Sequence, residues 1–393
     1  MKVLFICGCL EPGKDGVGDY VYNLAEALNK KGHLVQLLAL NEDFNRNLAG
    51  RKEGFLEKSF INHSQIASLR IHNSKSRKKN FRKARMWIKE FDPDWISLQY
   101  VPNSFNKKGL PWKLTRELKD IAEGRNWHIM FHEVWVGISR VSPVKHRILG
   151  FLQKKIARDL VKNLNCSHIS TSNLLYLMVL QSAGIKSVIL PLFSNIPKTT
   201  IDQNFKDQIF KKLQLNNEIA PNFELVGVFG SIYPEAKIEN VLQEIYTKCL
   251  KNNKKLIFIS FGETGSQGIN ELSRLKNYFN NKILFYHLGP QPVNHISTIF
   301  QILDSAISCT PSQHIPKSGV FAAMKLHNLK IYLSTYEFLP EYHEKIRAYL
   351  KSYMERPAED WMVETVSKQF LSILNTSSYD TCSPNFTIAK EQS

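Results

Sequence analysis

The sequence predicts an α/β protein made of two doubly wound, Rossmann-like domains. Short apolar segments of strand length alternate with amphipathic segments of helical spacing along most of the 393 residues, a pattern typical of parallel sheets covered by helices. A polar segment at 198–221, rich in Lys, Asn, Gln and Asp, interrupts this pattern, which restarts at Phe223. The chain is long enough for two domains that each bury a core, and we place the boundary at this polar segment.

The first half opens with a strand, a glycine-rich turn, a helix and a second strand. The turn contains Gly13, Gly16 and Gly18 in the spacing GxxGxG, which differs from the GxGxxG of dinucleotide-binding sites. These glycines allow a ligand to approach the sheet edge closely. Strands are predicted at 2–7, 33–40, 94–100, 127–131, 168–171 and 187–192, and helices at 20–28, 81–91, 147–163 and 173–182.

The second half repeats strand and helix and ends in a tail that we expect to be disordered after residue 375. Strands are predicted at 224–229, 255–261, 282–288, 306–308 and from Ile331, and helices from about 236, 269, 296 and 319 and at 336–354 and 360–374. Since the carboxyl ends of parallel strands line the ligand crevice of such sheets, the loops at 8–18, 99–103 and 132–137 are expected to converge.

Residues 303–334 combine a strand, a loop, a helix and a second strand. The loop carries Lys317, and Ser318 and Gly319 precede the helix that continues with Val320. A helix N-terminus presents unpaired N–H groups and the positive end of its dipole, and a neighbouring lysine adds a full charge. The stretch therefore predicts a phosphate site, with an ordinary turn and a solvated lysine as the alternative.

Basic residues are concentrated in the first half of the chain. Residues 1–200 contain 32 Lys and Arg against 16 Asp and Glu, whereas residues 201–393 contain 20 against 19. This asymmetry favours an anionic partner of the first half, such as a phospholipid surface, a phosphorylated lipid or nucleic acid, over a merely solvated basic face. The densest run consists of Lys75, Arg77, Lys78, Lys79, Arg82, Lys83 and Arg85. No nucleic-acid reading motif is recognisable and no nucleic acid is expected, so a nucleic-acid-binding protein is kept only as the non-enzyme alternative.

The N-terminal apolar segment, Val3 to Ile6, is too short for a signal peptide, and no long apolar run predicts a spanning helix. A cytoplasmic protein is expected, with peripheral association at the inner membrane face. The six cysteines lack CxxC or Cys/His spacing, so neither a zinc site nor a disulfide framework is indicated.

Several segments in order along the chain resemble the GT-B glycosyltransferases, specifically the family 4 type. They are GVGDYVYNLAEALNKKGHLV from Gly16, SNIP at 194–197, the strand ending at Phe229 and Gly230, LGPQPV at 288–293 and TPS at 310–312. The resemblance spans nearly the whole chain except the basic insert at 44–92. It implies two Rossmann-like domains facing across a cleft, an acceptor-binding domain at 1–197 and a nucleotide-sugar-binding domain at 198–356. A helix at 357–375 would cross back to the first domain, leaving the tail at 376–393.

The activity that the resemblance implies is transfer of a hexose from a UDP- or GDP-sugar to an acceptor. The enzyme would retain configuration and need neither a metal nor a cofactor beyond its donor substrate. An anionic or lipid-linked acceptor, such as a cell-surface polysaccharide glycan at the membrane, would use the basic first half. A nucleotide-sugar epimerase, a phosphorylase of the same fold and an inactive or partner-dependent homologue are the alternatives.

This sequence departs from the family at its most characteristic positions. Alignment on TPS places Ile315 and Ala322 where the family has two glutamates that contact the donor. The family's arginine after the first C-terminal strand is replaced by Ser231, and Lys237 lies within a residue of the family's lysine. Lys317 and Lys237 are therefore the candidates for stabilising the leaving diphosphate.

The remaining site residues follow from the same resemblance. By itself, a histidine after a strand is more often a hydrogen-bonded structural residue. His132 matches the family's histidine near the transferred sugar, and on that ground it joins Lys317 and Lys237 as a predicted catalytic residue. Asp19 is expected to cap or orient the first helix. Donor contacts are predicted at Gly16, Gly18, Gly230, Ser231, Glu263, Gly289, Pro290, Gln291, Ser318, Gly319 and Val320, and acceptor contacts at Asp19, Tyr20, Tyr100 and Glu133.

Overall fold

The computed structural model describes residues 1–13, 16–42, 55–61, 64–72, 77–122, 124–139, 141–215, 222–334 and 343–376. They belong to two compact units. The first unit comprises Met1–Pro191 and the segment that begins at Val363, and the second comprises Leu192–Met362. The tail predicted to be disordered and the first turns of the helix predicted at 336–354 lie outside the described residues.

Strands and helices alternate through both units, as the sequence predicts. The strands are β1 (Lys2–Cys7), β2 (Leu34–Glu42), β3 (Phe55–Ile61), β4 (Ser64–His72), β5 (Trp95–Tyr100), β6 (Asn126–Phe131), β7 (His168–Thr171), β8 (Val188–Ile189), β9 (Phe223–Phe229), β10 (Lys255–Phe261), β11 (Leu284–Gly289), β12 (Ser305–Ser308) and β13 (Lys330–Leu333). The helices are α1 (Gly16–Lys30), α2 (Arg77–Phe91), α3 (Pro102–Phe105), α4 (Leu114–Ile121), α5 (Val144–Asn163), α6 (Leu174–Ser182), α7 (Gln203–Lys212), α8 (Ile238–Lys251), α9 (Gly265–Phe279), α10 (Val293–Ile302), α11 (Gly319–Leu326), α12 (His343–Met354) and α13 (Val363–Asn375).

The sheet of the first unit has, among the described residues, the strand order β3-β4-β2-β1-β5-β6-β7-β8. All neighbours pair in parallel except β3, which runs antiparallel to β4 at the edge. The sequence predicts only a helix for the region at 44–92, and β3 and β4 are an addition. Their segments, FLEKSFI and SQIASLRIH, interleave polar with apolar residues, and such weak alternation becomes a strand only where a neighbouring strand supplies the partner.

The last helix, α13, packs on the first unit. The ring of Phe370 lies 5.5 Å from that of Phe5 on β1. The ammonium of Lys31 donates to the carbonyl of Glu364 (2.9 Å) and to the hydroxyl of Ser367 (2.6 Å). The side of α13 that carries Phe370 therefore completes the core of this unit.

The sheet of the second unit is parallel throughout, with the order β11-β10-β9-β12-β13 in the part of the chain described. The chain builds outward from β9 through β10 and β11, and then returns to place β12 on the other side of β9. This reversal is a topological switch point, where open parallel sheets bind ligands at the carboxyl ends of their strands. No described helix of either unit is both long and apolar enough to cross a membrane.

Candidate functional site

Glycines with left-handed backbone end three adjacent strands of the second unit. Gly230, Gly262 and Gly289 follow or end β9, β10 and β11 with φ of 81°, 86° and 67°. The N–H of Gly230 donates to the carbonyl of Phe261, and the N–H of Gly262 donates to that of Gly289, each at 2.8 Å. A Cβ on Gly230 or Gly289 would meet no atom closer than 3.9 Å, so the backbone there is open to a ligand. Gly262, which the sequence analysis did not select, is closed by Phe229 at 2.7 Å from such a Cβ.

The loop after β12 leads into α11 through a capped helix start, as predicted. A short 3-10 turn spans Ser312–Lys317, and the hydroxyl of Ser318 accepts a hydrogen bond from the N–H of Phe321 (3.2 Å). The same hydroxyl lies 2.9 Å from the hydroxyl of Thr310. The first-turn N–H groups at Gly319 and Val320 have no acceptor within the helix. A lysine followed by a helix start thus lies beside the switch point.

This helix start is adjacent to two other segments of the second unit. A Cβ on Gly230 would lie 4.0 Å from a methyl of Val320, and a Cβ on Gly319 would lie 3.9 Å from the side-chain amide of Asn195. The structure therefore brings the predicted donor residues Gly230, Gly319 and Val320 together. Asn195 is an addition to the predicted set. The SNIP motif at 194–197 signalled its position, although no spacing rule linked it to Gly319.

Apolar side chains occupy the two positions at which the predicted alignment placed glutamates of the resembled family. Ile315 and Ala322 are fully buried. Next to Ile315 in the sequence, the carbonyl of Pro316 accepts a hydrogen bond from the hydroxyl of Tyr353 (3.3 Å). A carboxylate at either position would be removed from water without a built partner, which is strongly unfavourable. In this chain the two positions belong to the core.

Two lysines were predicted to bind the diphosphate, and each has a distinct setting. Lys317 is half-buried at the end of the 3-10 turn. Burial and the charge of Lys317 lower the pKa of the neighbouring His314 to about 4, so this histidine is neutral at pH 7. Lys237 is exposed at the start of α8 with φ 48° and ψ 44°, a left-handed conformation that costs a non-glycine residue about 1–2 kcal/mol. Such strain is frequent at functional sites.

The other predicted donor contacts of the second unit all follow strand ends. Ser231 comes directly after Gly230, Glu263 lies in the turn after β10, and Pro290 and Gln291 come after β11. Ser231, Glu263 and Pro290 are exposed. Gln291 is half-buried and its side-chain amide donates to the carbonyl of Leu288 (2.8 Å), so it orders the turn in which it lies.

Of the glycines Gly13, Gly16 and Gly18 in the turn after β1, Gly18 is the one that packs tightly. A Cβ on Gly18 would lie 2.9 Å from the carbonyl oxygen of Cys9, whereas a Cβ on Gly16 would meet nothing within 4 Å. The carboxylate of Asp19 accepts a hydrogen bond from the N–H of Gly13 (3.1 Å). Burial raises the pKa of Asp19, and this hydrogen bond opposes the rise. Asp19 thus connects the turn to α1, in line with an orienting role.

His132, directly after β6, begins a chain of buried hydrogen bonds. Its Nε2–H donates to Oε1 of Gln99 (2.9 Å), and the amide of Gln99 donates to the hydroxyl of Ser97 (2.7 Å). The hydroxyl of Ser97 can then donate to Nδ1 of His128 (2.8 Å), whose Nε2–H donates to Ser170 (3.0 Å). The chain fixes the ring plane of His132 and places the lone pair of its neutral form on Nδ1.

The three other predicted acceptor contacts are divided between core and surface. Tyr20 and Tyr100 are buried, and burial raises the pKa of both phenols. The ring of Tyr20 meets that of His132 edge-on at 5.0 Å, and the ring of Tyr100 stacks on Phe105 at 6.1 Å. Both tyrosines have a packing role in this structure. Glu133 is exposed.

A buried ion cluster at the ends of β1, β2 and β4 is a feature that the sequence analysis missed. Arg70 donates to Glu42 through Nε (2.9 Å) and to Glu11 through Nη2, and the N–H of Leu10 donates to Glu42 (2.7 Å). Burial lowers the pKa of Arg70, but the bonds to Glu42 and Glu11 outweigh it and raise the pKa. The cluster anchors the turn after β1. The sequence analysis did not predict this cluster because Arg70 lies in a region where no strand was predicted.

No protein-family model matches the chain, and no curated protein sequence matches it. Solved structures do match. HepE from Anabaena, in complex with UDP and glucose, is 15% identical with a TM-score of 0.55, over 96% of this chain and 100% of that chain. The chain has the GT-B fold. The catalytic domain of starch synthase IV from Arabidopsis thaliana, bound to ADP and acarbose, is 12% identical with a TM-score of 0.53, over 95% and 98% of the two chains.

An enzyme of different activity matches equally well. UDP-GlcNAc 2-epimerase from Methanocaldococcus jannaschii is 10% identical with a TM-score of 0.52, over 95% of this chain and 99% of that chain. At such identities the likeness extends to the fold and not to the reaction. The predicted fold class is therefore confirmed, whereas membership of family 4 stays a prediction.

Proposed function

We propose that this chain is a glycosyltransferase that moves a sugar from a nucleotide-diphosphate sugar to an acceptor. The observation that carries the proposal is the start of α11, where Lys317, Ser318 and Gly319 lie beside the open backbone of Gly230 at the switch point of the second sheet. Unpaired N–H groups and a cation at such a position suit a diphosphate. Two proteins of the same fold were solved with UDP and with ADP.

The second unit is proposed to stabilise the leaving group. Cleavage of the bond between sugar and diphosphate leaves negative charge on the diphosphate, and donors already in place lower the barrier to that step. The N–H groups of Gly319 and Val320, with the ammonium groups of Lys317 and Lys237, would supply these donors without a metal. In this proposal these donors replace the donor contacts of the family's two glutamates, whose positions are apolar in this chain. The turn at Gly289–Gln291 would contact the nucleobase, and Glu263 and Ser231 would contact the rest of the donor.

The first unit is proposed to supply His132 and the acceptor contacts. His132 is held in a fixed orientation by Gln99, and the resemblance implies a place for it near the transferred sugar. Glu133 and Asp19 are the acceptor-binding candidates that are not buried. We infer a lipid-linked or otherwise anionic acceptor, because nearly all the net positive charge belongs to the first half of the chain. Transfer with retention of configuration, without metal or cofactor, is part of the same proposal.

Substitution of the two lysines tests the proposal. Lys317→Ala removes one cation, and Lys237→Asn removes the other while keeping a residue that tolerates left-handed backbone. Each variant is expected to lose about a hundredfold in kcat, the scale of one lost transition-state donor. Lys276→Ala, an exposed lysine late in α9, is the matched control. Turnover within a few-fold of wild type for both variants would show that the mechanism is wrong.

The substrate is found with a panel of nucleotide sugars, each incubated with and without a lipid-linked acceptor. Nucleotide release that depends on the acceptor supports transfer. A nucleotide-sugar epimerase is the second candidate because one shares the fold over nearly the full length of both chains. Isomerised nucleotide sugar formed without an acceptor would identify that activity instead.

A further inference from the structure

An apolar stripe lies on the exposed side of α5. Val144, Ile148 and Phe151 are 68%, 60% and 69% exposed, and their spacing of four and three residues places them on one side of the helix. The opposite side, with Gln153, Ile156 and Leu160, is buried in the first unit. Three large apolar side chains in one exposed row are unusual for a surface that only water contacts.

Two neighbouring loops that carry further exposed apolar side chains pack against the other side of α5. Val136 and Trp112 are also exposed. The side chain of Gln153 joins both loops to α5, since it accepts from the N–H of Val136 (3.0 Å) and donates to the carbonyl of Gly109 (3.1 Å). The loop that carries Val136 can lie this close to α5 only because residue 150 is glycine, since a Cβ there would lie 1.9 Å from the carbonyl oxygen of Val136. We call the exposed stripe of Val144, Ile148 and Phe151 the α5 face.

The charges around the α5 face are mostly positive, with Glu133 before it and Asp159 near the end of α5 as exposed carboxylates. Between residues 134 and 158 the sequence has no Asp or Glu and six cations: Arg140, Lys145, Arg147, Lys154, Lys155 and Arg158. Lys145, Arg147 and Lys155 are exposed on α5, and Lys155 continues the row of Phe151 one turn further along the helix. The apolar stripe is therefore flanked by ammonium and guanidinium groups.

We propose that the α5 face docks on an anionic phospholipid surface. Its apolar side chains would enter the boundary between headgroups and acyl chains, and its cations would remain among the phosphates, as long basic side chains do at interfaces. The positive charge around the α5 face complements the negative charge of the phospholipid surface and argues against two other occupants. A symmetric contact between two copies would place the same cations opposite each other, and a nucleic acid would use the cations but would leave the Val, Ile and Phe side chains without a partner.

Docking through the α5 face does not depend on the proposed transfer reaction. The α5 face also differs from the site that the density of basic residues alone indicates. The densest basic run includes α2, where Lys78 and Lys79 are exposed. Met86 is the large apolar side chain exposed on the described part of that helix. A purely electrostatic site would be on α2, whereas docking that combines insertion with charge would be on α5.

Sedimentation with lipid vesicles tests the proposal on the full chain. Wild type is expected to bind phosphatidylcholine vesicles that contain one third phosphatidylglycerol, and to bind pure phosphatidylcholine weakly. Ile148→Ser with Phe151→Ser should lower the partition coefficient at least about tenfold, because two apolar side chains no longer insert. The matched control is Ile269→Ser with Tyr278→Ser, two residues exposed on α9 of the second unit, which should bind as wild type does.

The charge contribution is tested by a second pair of variants. Lys145→Glu with Lys155→Glu should reduce binding at least about tenfold, given about fivefold per cation near an anionic surface. Lys78→Glu with Lys79→Glu should have a much smaller effect. Equal loss from both pairs, or wild-type binding by the Ile148/Phe151 variant, would overturn the proposal.

Two further readouts separate the proposal from other occupants and from the transfer reaction. Light scattering should give the same molar mass for wild type and the Ile148/Phe151 variant; a wild-type dimer that the variant abolishes would assign the α5 face to a second copy and overturn lipid docking. Thermal stabilisation by UDP or GDP should be equal in both proteins, because the face is remote in sequence from the proposed donor site. Loss of vesicle binding with intact nucleotide binding thus supports docking whether or not transfer is observed.

Discussion

Acid should destabilise the first unit through one buried histidine. His128 on β6 is fully buried, and its two ring nitrogens pair with the hydroxyls of Ser97 and Ser170. Burial, together with His168 and His132, lowers the pKa of His128 from 6.5 to about 3. In the unfolded chain His128 binds a proton near pH 6.5, whereas the folded unit resists protonation until about pH 3. Stability is therefore complete above about pH 6.5 and falls as the pH decreases toward about 3.

The size of the effect follows from the interval between the two pKa values. Each pH unit in that interval lowers the free energy of unfolding by about 1.4 kcal/mol. Between neutral pH and about pH 5, His128 alone should lower the free energy of unfolding by about 2 kcal/mol. This is a large share of the stability of an ordinary domain.

Urea unfolding followed by tryptophan fluorescence measures this loss in the right part of the chain. Five of the six tryptophans, Trp87, Trp95, Trp112, Trp127 and Trp135, precede Pro191 and report on the first unit. His128→Asn should be less stable than wild type at neutral pH, because the ring also meets Phe370 edge-on at 5.2 Å. Its further loss at about pH 5 should be smaller than that of wild type by about 2 kcal/mol. His146→Asn, at an exposed histidine, should change neither quantity, and equal acid sensitivity of wild type and His128→Asn would refute the reasoning.

Three further predictions concern the site. Gln99→Leu should lower kcat at least about tenfold while nucleotide affinity is kept, because His132 loses the group that orients it; equal kcat in steady-state kinetics would remove Gln99 from the mechanism. Gly18→Ala should lower the free energy of unfolding by about 1–3 kcal/mol through its 2.9 Å contact with the Cys9 carbonyl, whereas Gly16→Ala should preserve it, and urea midpoints that rank the other way would contradict the packing. Ala322→Glu should destabilise the second unit by several kcal/mol without raising turnover, and a folded variant with higher activity would show that the glutamate position is accessible.

The strand and helix pattern could be predicted because its signals are local. In residues 303–334, Pro311 and Pro316 mark the loop and Ser318 starts the helix, so β12, α11 and β13 were located from neighbouring residues alone. One predicted boundary was wrong by a helical turn: α9 begins at Gly265, four residues before the predicted start near Ile269. Gly265 and Gly268 weaken the helical pattern without preventing the helix.

The candidate site was predictable in part, for the same reason. Residues that end strands or start helices, such as Gly230, Gly289, Lys317 and Gly319, were selected correctly as strand-end or helix-start positions. Tyr100 was selected because it ends a strand, and the structure has it buried against Phe105. A strand pattern alternates faces but does not state which face the sheet will cover.

The sequence alone determined the α/β class, the alternation of strands and helices in each half, and the division of charge between the halves. Tertiary structure alone decided the pairing of β4 with β2, the contact of Asn195 with the start of α11, the hydrogen bonds that run from His132 through Gln99, and the apolar stripe left uncovered on α5. The first group depends on residues a few positions apart, whose periodicity records local backbone geometry. The second depends on groups that are distant along the chain and meet only after the sheets have formed, so no local pattern encodes it.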